Sequence, residues 1–280
     1  MSPDGTRLLY GIDDGVDAAL WMYDLRGGTP PRRVTFGGRS VNPMWSRDGR
    51  WIVYETEVDG QRGLFRQPAD GSATPERLTT AERGGTHTAE SWTPDGHTLL
   101  FTAAAERKPQ AIWSVAVDGD RQPRPLLVGP RIFANAAVSP DGRWLAYNSN
   151  EINGAAHNVF VQPYPPNGAK RQVSSGLSAN SAWTADGRQL IFDAGPGSNQ
   201  LVAVDVRAEG GSLSFGPPVA ITVPGIGNIT PLNRQYDVLP DGSGFIAVVP
   251  PNAVDGRGVR PPEIAVVLNW SEELNQRMPR

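Results

Sequence analysis

The run Ser139-Pro140-Asp141-Gly142-Arg143-Trp144-Leu145-Ala146-Tyr147 joins a four-residue turn signal to a short strand signal. Proline presets φ for an early turn position, aspartate bonds the backbone two residues on, and glycine takes the positive φ that closes the turn. The β-rich residues behind it, bounded by further turn residues, read as a strand buried on both faces. Close variants stand at Ser2-Pro3-Asp4-Gly5, Ser46-Arg47-Asp48-Gly49, Thr93-Pro94-Asp95-Gly96, Thr184-Ala185-Asp186-Gly187 and Leu239-Pro240-Asp241-Gly242. The aspartates at 4, 48, 95, 141, 186 and 241 are therefore separated by 44, 47, 46, 45 and 55 residues. A period of about 45 is the length of a four-stranded propeller blade. The reading is an all-β chain, a six-bladed β-propeller forming a single domain over 1–280.

Each unit fills out in the same way. A third strand follows the one behind the turn, as in Ala111-Ile112-Trp113-Ser114-Val115 and Asn158-Val159-Phe160-Val161. A more polar fourth comes next, as in Glu76-Arg77-Leu78-Thr79, and its charge suits an outer edge. The next unit opens with a strand running into its turn, such as Pro43-Met44-Trp45-Ser46, and in a propeller this strand lines the central channel. Trp45, Trp92 and Trp183 share one repeat position. Packing between neighbouring blades is the plainer account of them, and an aromatic platform for a ligand is the other. The count at the two ends is short. The first unit lacks the strand that should precede Ser2, and the last has no clear fourth strand. The expectation is a ring incomplete at its N-terminal blade, the chain being either a fragment of a longer protein, the favoured account, or a ring with one imperfect shared closure. Residues 271–280 are expected to form a short helix or tail.

The segments Trp45-Ser46-Arg47-Asp48-Gly49 and 139–147 resemble the WD40-like PD40 repeats of TolB-type propellers. Val161-Gln162-Pro163-Tyr164-Pro165, Phe215-Gly216-Pro217-Pro218, Tyr236-Asp237-Val238-Leu239-Pro240-Asp241-Gly242 and the ending Val266-Val267-Leu268-Asn269-Trp270-Ser271-Glu272-Glu273-Leu274 are similar to the C-terminal propeller of bacterial serine/threonine kinases. That resemblance implies a sensor or interaction module, with a kinase domain and a membrane span elsewhere in the parent protein. It implies an extracytoplasmic or periplasmic location if the parent is membrane-anchored or TolB-like, and a cytoplasmic one otherwise. This chain contains no Gly-x-Gly-x-x-Gly loop, no His-Arg-Asp and no Asp-Phe-Gly, so kinase chemistry is not expected of it.

Composition narrows the partners. A formal net charge of -3 lacks the basic surplus of a general nucleic-acid binder. With no cysteine there is neither a disulfide framework nor a Cys-based zinc site. No run of about 20 apolar residues exists to span a bilayer, and the first residues carry no export signal. A protein partner or small-molecule ligand on one propeller face is expected, with no cofactor and no metal.

No Gly-x-Ser-x-Gly elbow is present, and the three histidines, His87, His97 and His157, sit in different local settings. The six turn aspartates are explained by the turns, without calcium. His87 beside Glu90, at the start of a channel strand, is the one pairing that keeps a propeller-type lyase or hydrolase open as the alternative to a binding module. Three residues before the position that precedes the turn stand Asn42, Ala89, Asn135, Asn180 and Gln235, and period-2 alternation sets them on one face. The amides Asn42, Asn135, Asn180 and Gln235, with His87 and Glu90, are the candidate binding residues at the channel mouth. Hydrogen bonding between blades is the competing use for the amides. Two long irregular stretches, 223–234 and 250–262, carry Arg234, Arg257 and Arg260, which either meet an acidic partner or decorate the surface.

Overall fold

The computed structural model describes residues 1–152, 154, 157–195, 198–223, 234, 236–249 and 263–268. Among them are twenty-three strands and no helix. The expected C-terminal helix or tail at 271–280 lies outside the described residues, as do Gln235, Arg257, Arg260 and most of both long stretches.

The strands fall into six antiparallel sheets, each carrying one of the repeat turns. The first holds β1 (Arg7–Asp13), β2 (Ala18–Asp24) and β3 (Arg32–Arg33). The second runs β4 (Val41–Trp45), β5 (Trp51–Val58), β6 (Gln61–Pro68), β7 (Glu76–Arg77). The third runs β8 (Thr86–Trp92), β9 (Thr98–Ala105), β10 (Lys108–Ala116), β11 (Arg124–Leu127). The fourth runs β12 (Phe133–Val138), β13 (Trp144–Ser149), β14 (Asn158–Pro163), β15 (Arg171–Gln172). The fifth has β16 (Ala179–Trp183), β17 (Gln189–Asp193), β18 (Gln200–Glu209), β19 (Ser212–Phe215) and β20 (Val219–Thr222). There β18 outruns the blade and folds back on β19 while its first half pairs with β20, which accounts for part of the longer 55-residue spacing. The sixth has β21 (Tyr236–Val238), β22 (Gly244–Val249) and β23 (Glu263–Leu268). The first and sixth sheets have three strands each among the described residues.

The turns hold the repeat together locally. In five of them a Ser or Thr hydroxyl donates to the aspartate (Ser2 to Asp4, 2.5 Å; Ser139 to Asp141, 2.5 Å), whose same oxygen accepts the amide two residues on. The hydroxyl bond is the main reason the Asp4 carboxyl is held down to about 2. The hydroxyl oxygen also accepts the first amide of the second strand, Arg7 to Ser2 and Trp144 to Ser139. One side chain therefore ties turn to strand at both ends.

The turns also touch one another. A Cβ placed on Gly49 would lie 3.5 Å from Pro3, on Gly142 3.1 Å from Pro94, on Gly187 3.5 Å from Pro140, and on Gly5 3.9 Å from Pro240. Each of these four glycines meets the turn proline of the preceding repeat, and the last of these contacts joins the sixth turn to the first. Gly96 and Gly242 meet nothing within 4 Å, because their predecessors carry Arg47 and Ala185 where the others carry proline.

The core lies between successive sheets. Leu9, Leu20 and Met22 pack on Trp45, Ile52 and Tyr54, and Val53, Leu64 and Leu78 pack on Trp92, Leu99 and Phe101. The tryptophans are part of this packing: Trp92 Nε1 donates to the Trp45 carbonyl (2.9 Å) and Trp183 Nε1 to the Ala137 carbonyl (3.0 Å). Each is committed to the neighbouring sheet rather than offered as a platform.

The two bare glycines allow the turn contact to be measured. Gly142 and Gly96 have nearly equal φ (+73° and +74°), so alanine suffers the same left-handed strain at either, roughly 1–2 kcal/mol. Gly142→Ala must also displace Pro94. Thermal melts should show Gly142→Ala lowering Tm several degrees further than Gly96→Ala; equal losses would mean that the turn-to-turn contact contributes nothing.

Candidate functional site

The first strands of the middle sheets converge on a cavity of about 700 Å³. Its lining includes Asn42, Ala89, Glu90, Asn135 and Asn180 from those strands, with Tyr236 and Asp237 from β21 and Arg234 beside them. Asp13, Ser40, Thr88 and Val248, at the strand ends away from the turns, also line it, so it reaches the face opposite the turns.

A backbone irregularity sets the amides there, which alternation alone does not predict. Register shifts occur between Val41 and Met44, Ala134 and Ala137, and Ala179 and Ala182. At each, two residues oppose one on the partner strand, and the first of the two is Asn42, Asn135 or Asn180 with φ of 52°, 54° and 55°. These are β-bulges with asparagine in the left-handed position usually given to glycine, which asparagine tolerates better than other side chains. In the third sheet the shift falls between Ala89 and Ser91, leaving Glu90 as the extra residue.

The amides are partly spent on the scaffold. Asn135 Nδ2 donates to Asn180 Oδ1 (3.0 Å), bonding the fourth sheet to the fifth, and Asn180 Nδ2 donates to Asp193 Oδ2 (2.8 Å). The buried Tyr236 hydroxyl brings in the sixth sheet, 2.6 Å from the Asn180 carbonyl and 3.0 Å from that of Ile191. Asn135 Oδ1 has no partner. Asn42 bonds the carboxyl of Glu55.

Glu90 lines the cavity half-buried, and loss of bulk water pushes its carboxyl up to about 7, which Arg234 on the same wall only partly offsets. His87, three residues earlier, is absent from the cavity wall. It is 8 % exposed, its ring lies 4.7 Å from that of Phe101, and Nδ1 sits 2.8 Å from the Thr79 hydroxyl. Thr79 Oγ1 also accepts the Leu64 amide. Burial holds this imidazole down to about 4. His97 lies exposed near Asp118 and His157 is half-buried at the start of β14; neither lines the cavity. Among the described residues no group of three His, Asp or Glu side chains is placed to hold a metal.

Several residues were not singled out from the sequence. One position past the aromatic of each second strand stand Glu55, Thr102, Asn148 and Asp193, all buried. Burial pushes the Glu55 carboxyl up to about 7 and raises that of Asp193, which accepts from Ala179, Asn180 and Gly195. Polar residues at one repeat position in strands otherwise apolar on both faces were the signal available for them.

No protein-family model matches the chain. An uncharacterized protein of Agrobacterium fabrum is 34% identical over 103 residues, 36% of this chain and 34% of that protein. The chain spans about a third of the length of the curated relatives it matches. Among solved structures, TolB from Acinetobacter baumannii superposes with a TM-score of 0.73 at 19% identity, over 94% of this chain and 61% of that one. An oligogalacturonate lyase in complex with manganese superposes at 0.65 with 13% identity, over 97% of this chain and 88% of that one. The chain is a TolB-like β-propeller in fold.

Glu90 and Glu55 leave a pH signature. With carboxyls near 7 in the folded chain against about 4.5 when unfolded, the fold retains protons that the unfolded chain releases. The associated stability is fully present below about pH 4.5 and is lost as pH rises toward 7. Glu90→Gln should gain on the wild type in Tm at pH 8 and show no such gain at pH 4; equal offsets at both would place the Glu90 carboxyl at an ordinary value.

Proposed function

We propose that this chain is a non-catalytic module that binds a protein partner on the face opposite its repeat turns, around the mouth of the cavity. One observation carries this reading. Antiparallel order puts the hairpins between second and third strands, and the links from one sheet to the next, at that end. Eight of the nine large apolar side chains exposed among the described residues lie there, including Val16 (89 %) and Phe36 (79 %), with Val58, Val128, Ile152 and Leu177; Leu25 alone lies at the turn end. Apolar residues gathered on one face mark an interaction surface, whereas scattered ones need no explanation.

The resemblance of the chain's last segment to kinase-associated propellers supports a finer version, in which the module is the sensor part of a membrane-anchored kinase or TolB-like parent and works outside the cytoplasm. The test of the face is direct. Immobilised chain incubated with extract of its source should retain proteins that a Val16→Asp, Phe36→Asp variant loses and a Leu25→Asp control keeps. Identical capture by all three would remove the apolar face from the function.

A second reading, a propeller-type lyase or hydrolase, is favoured by Glu90 alone, because a carboxyl near 7 suits a general base. His87 adds little to it, buried away from the cavity and committed to Thr79. Stoichiometric transition metal in the purified protein, with oligogalacturonate turnover abolished by Glu90→Gln, would replace the binding reading by the enzymatic one.

A further inference from the structure

A second cavity, of about 450 Å³, is formed by the link into the second sheet and the β5–β6 hairpin, and it shares only Val41 with the wall of the larger one. Its lining residues fall within 38–62, a stretch described throughout. Gly38, at φ +68°, lets the link press onto β5: a Cβ there would lie 3.0 Å from the Glu57 carbonyl and 3.1 Å from the Thr56 hydroxyl. Asp59 and Gly60, both left-handed, close the hairpin tightly on the other side.

Glu55 lines this cavity and not the larger one, although the residue is only 5 % exposed. Its carboxyl accepts from the Asn42 side chain and the His87 main-chain amide, which leaves acceptor capacity unspent. What it lacks is a cation. The two arginines on the wall are matched to other carboxylates, Arg62 Nε to Glu57 at 3.1 Å and Arg39 Nη2 to Asp13 at 2.6 Å. Two guanidiniums therefore stand among three carboxyls, and the buried one goes without. Arg62 draws the Glu55 carboxyl down only in part, and burial leaves it at about 7. A carboxylate removed from water without a counter-ion is costly, so a cation that reaches it is held.

The same wall offers donors. Each arginine meets its carboxylate through one nitrogen, so most of its five N–H groups are unspent on protein among the described residues. The hairpin register pairs Glu57 with Arg62 and Glu55 with Leu64. Glu55 and Arg62 thus share one face as diagonal neighbours, with backbones about 7–8 Å apart.

We propose that this cavity binds a small amino acid, its ammonium group taken by Glu55 and its carboxylate by the guanidinium of Arg62. The volume is that of a small-molecule site. A bare divalent cation would ask for six or more oxygens where a single carboxyl is free.

Glycine, β-alanine and γ-aminobutyrate, titrated into the full chain by calorimetry, place the two charged ends at increasing separation. At least one should bind saturably. Butylamine and butyrate, each keeping one charged end, should bind roughly tenfold more weakly, as loss of a charge-assisted hydrogen bond implies. An ammonium needs the ionised carboxyl, so affinity should rise roughly tenfold from pH 6 to pH 8, across the value of about 7 at Glu55, with proton release at the lower pH. Glu55→Gln should remove both that affinity and its pH dependence. Arg62→Gln should weaken the amino acid and leave butylamine unchanged, which keeps the proposal testable if Glu55→Gln does not fold. Absence of binding by all three amino acids, butylamine binding as tightly as they do, or a pH dependence that survives in Glu55→Gln would overturn it.

Discussion

The architecture depends on a hydrogen-bonded knot that is remade at five of the six turns. A hydroxyl donates to the turn aspartate and accepts the first amide of the following strand, while the aspartate holds the amide two residues on. This fixes where the innermost strand ends and the buried second strand begins. A one-residue slip would move every apolar side chain of that strand to the wrong sheet. Because Leu99, Leu145 and Leu190 and their counterparts are wholly buried between sheets, register in one sheet is also register for its neighbour.

The contact between turns links neighbouring sheets at four of the six junctions, the one between the last repeat and the first among them. Proline at the second turn position serves two ends, stiffening its own turn and offering a flat ring to the next glycine. The sequence varies these together: where Arg47 and Ala185 replace the proline, the following glycine stands open. Local turn chemistry thereby reports a relation between residues about 45 positions apart, and the Gly5–Pro240 contact shows the last repeat meeting the first.

That coupling explains what was legible in the sequence. Period, strand order and the role of the tryptophans follow from turn chemistry and apolar runs, which short windows display. The site was only half legible. Asn42, Asn135 and Asn180 reach the cavity wall, but through left-handed bulges that simple alternation does not contain, and part of their hydrogen-bonding capacity joins sheets. His87 and Glu90 are three residues apart in one strand, a spacing that alternation puts on opposite faces, so nearness in sequence did not make them one site. Glu55 and Asp193 escaped notice because a lone acid in an apolar strand looks like an exposed edge until the third dimension buries it.

The bulges also bear on why this fold serves unlike functions. A regular inner strand would present alternate side chains to the channel and bond the backbone groups of every second residue to the second strand. In the second, fourth and fifth sheets a left-handed asparagine near the outer end lifts two residues out of that pattern and sets an amide on the cavity wall, and in the third sheet a bulge without a left-handed residue sets the Glu90 carboxyl there. The change is confined to the strand's far half, since pairing resumes at Met44, Ala137 and Ala182, ahead of the turn knot. Chemistry at the cavity can therefore vary without disturbing the hydroxyl–aspartate bonds or the packing between sheets, and a shared turn pattern constrains architecture far more than it constrains activity.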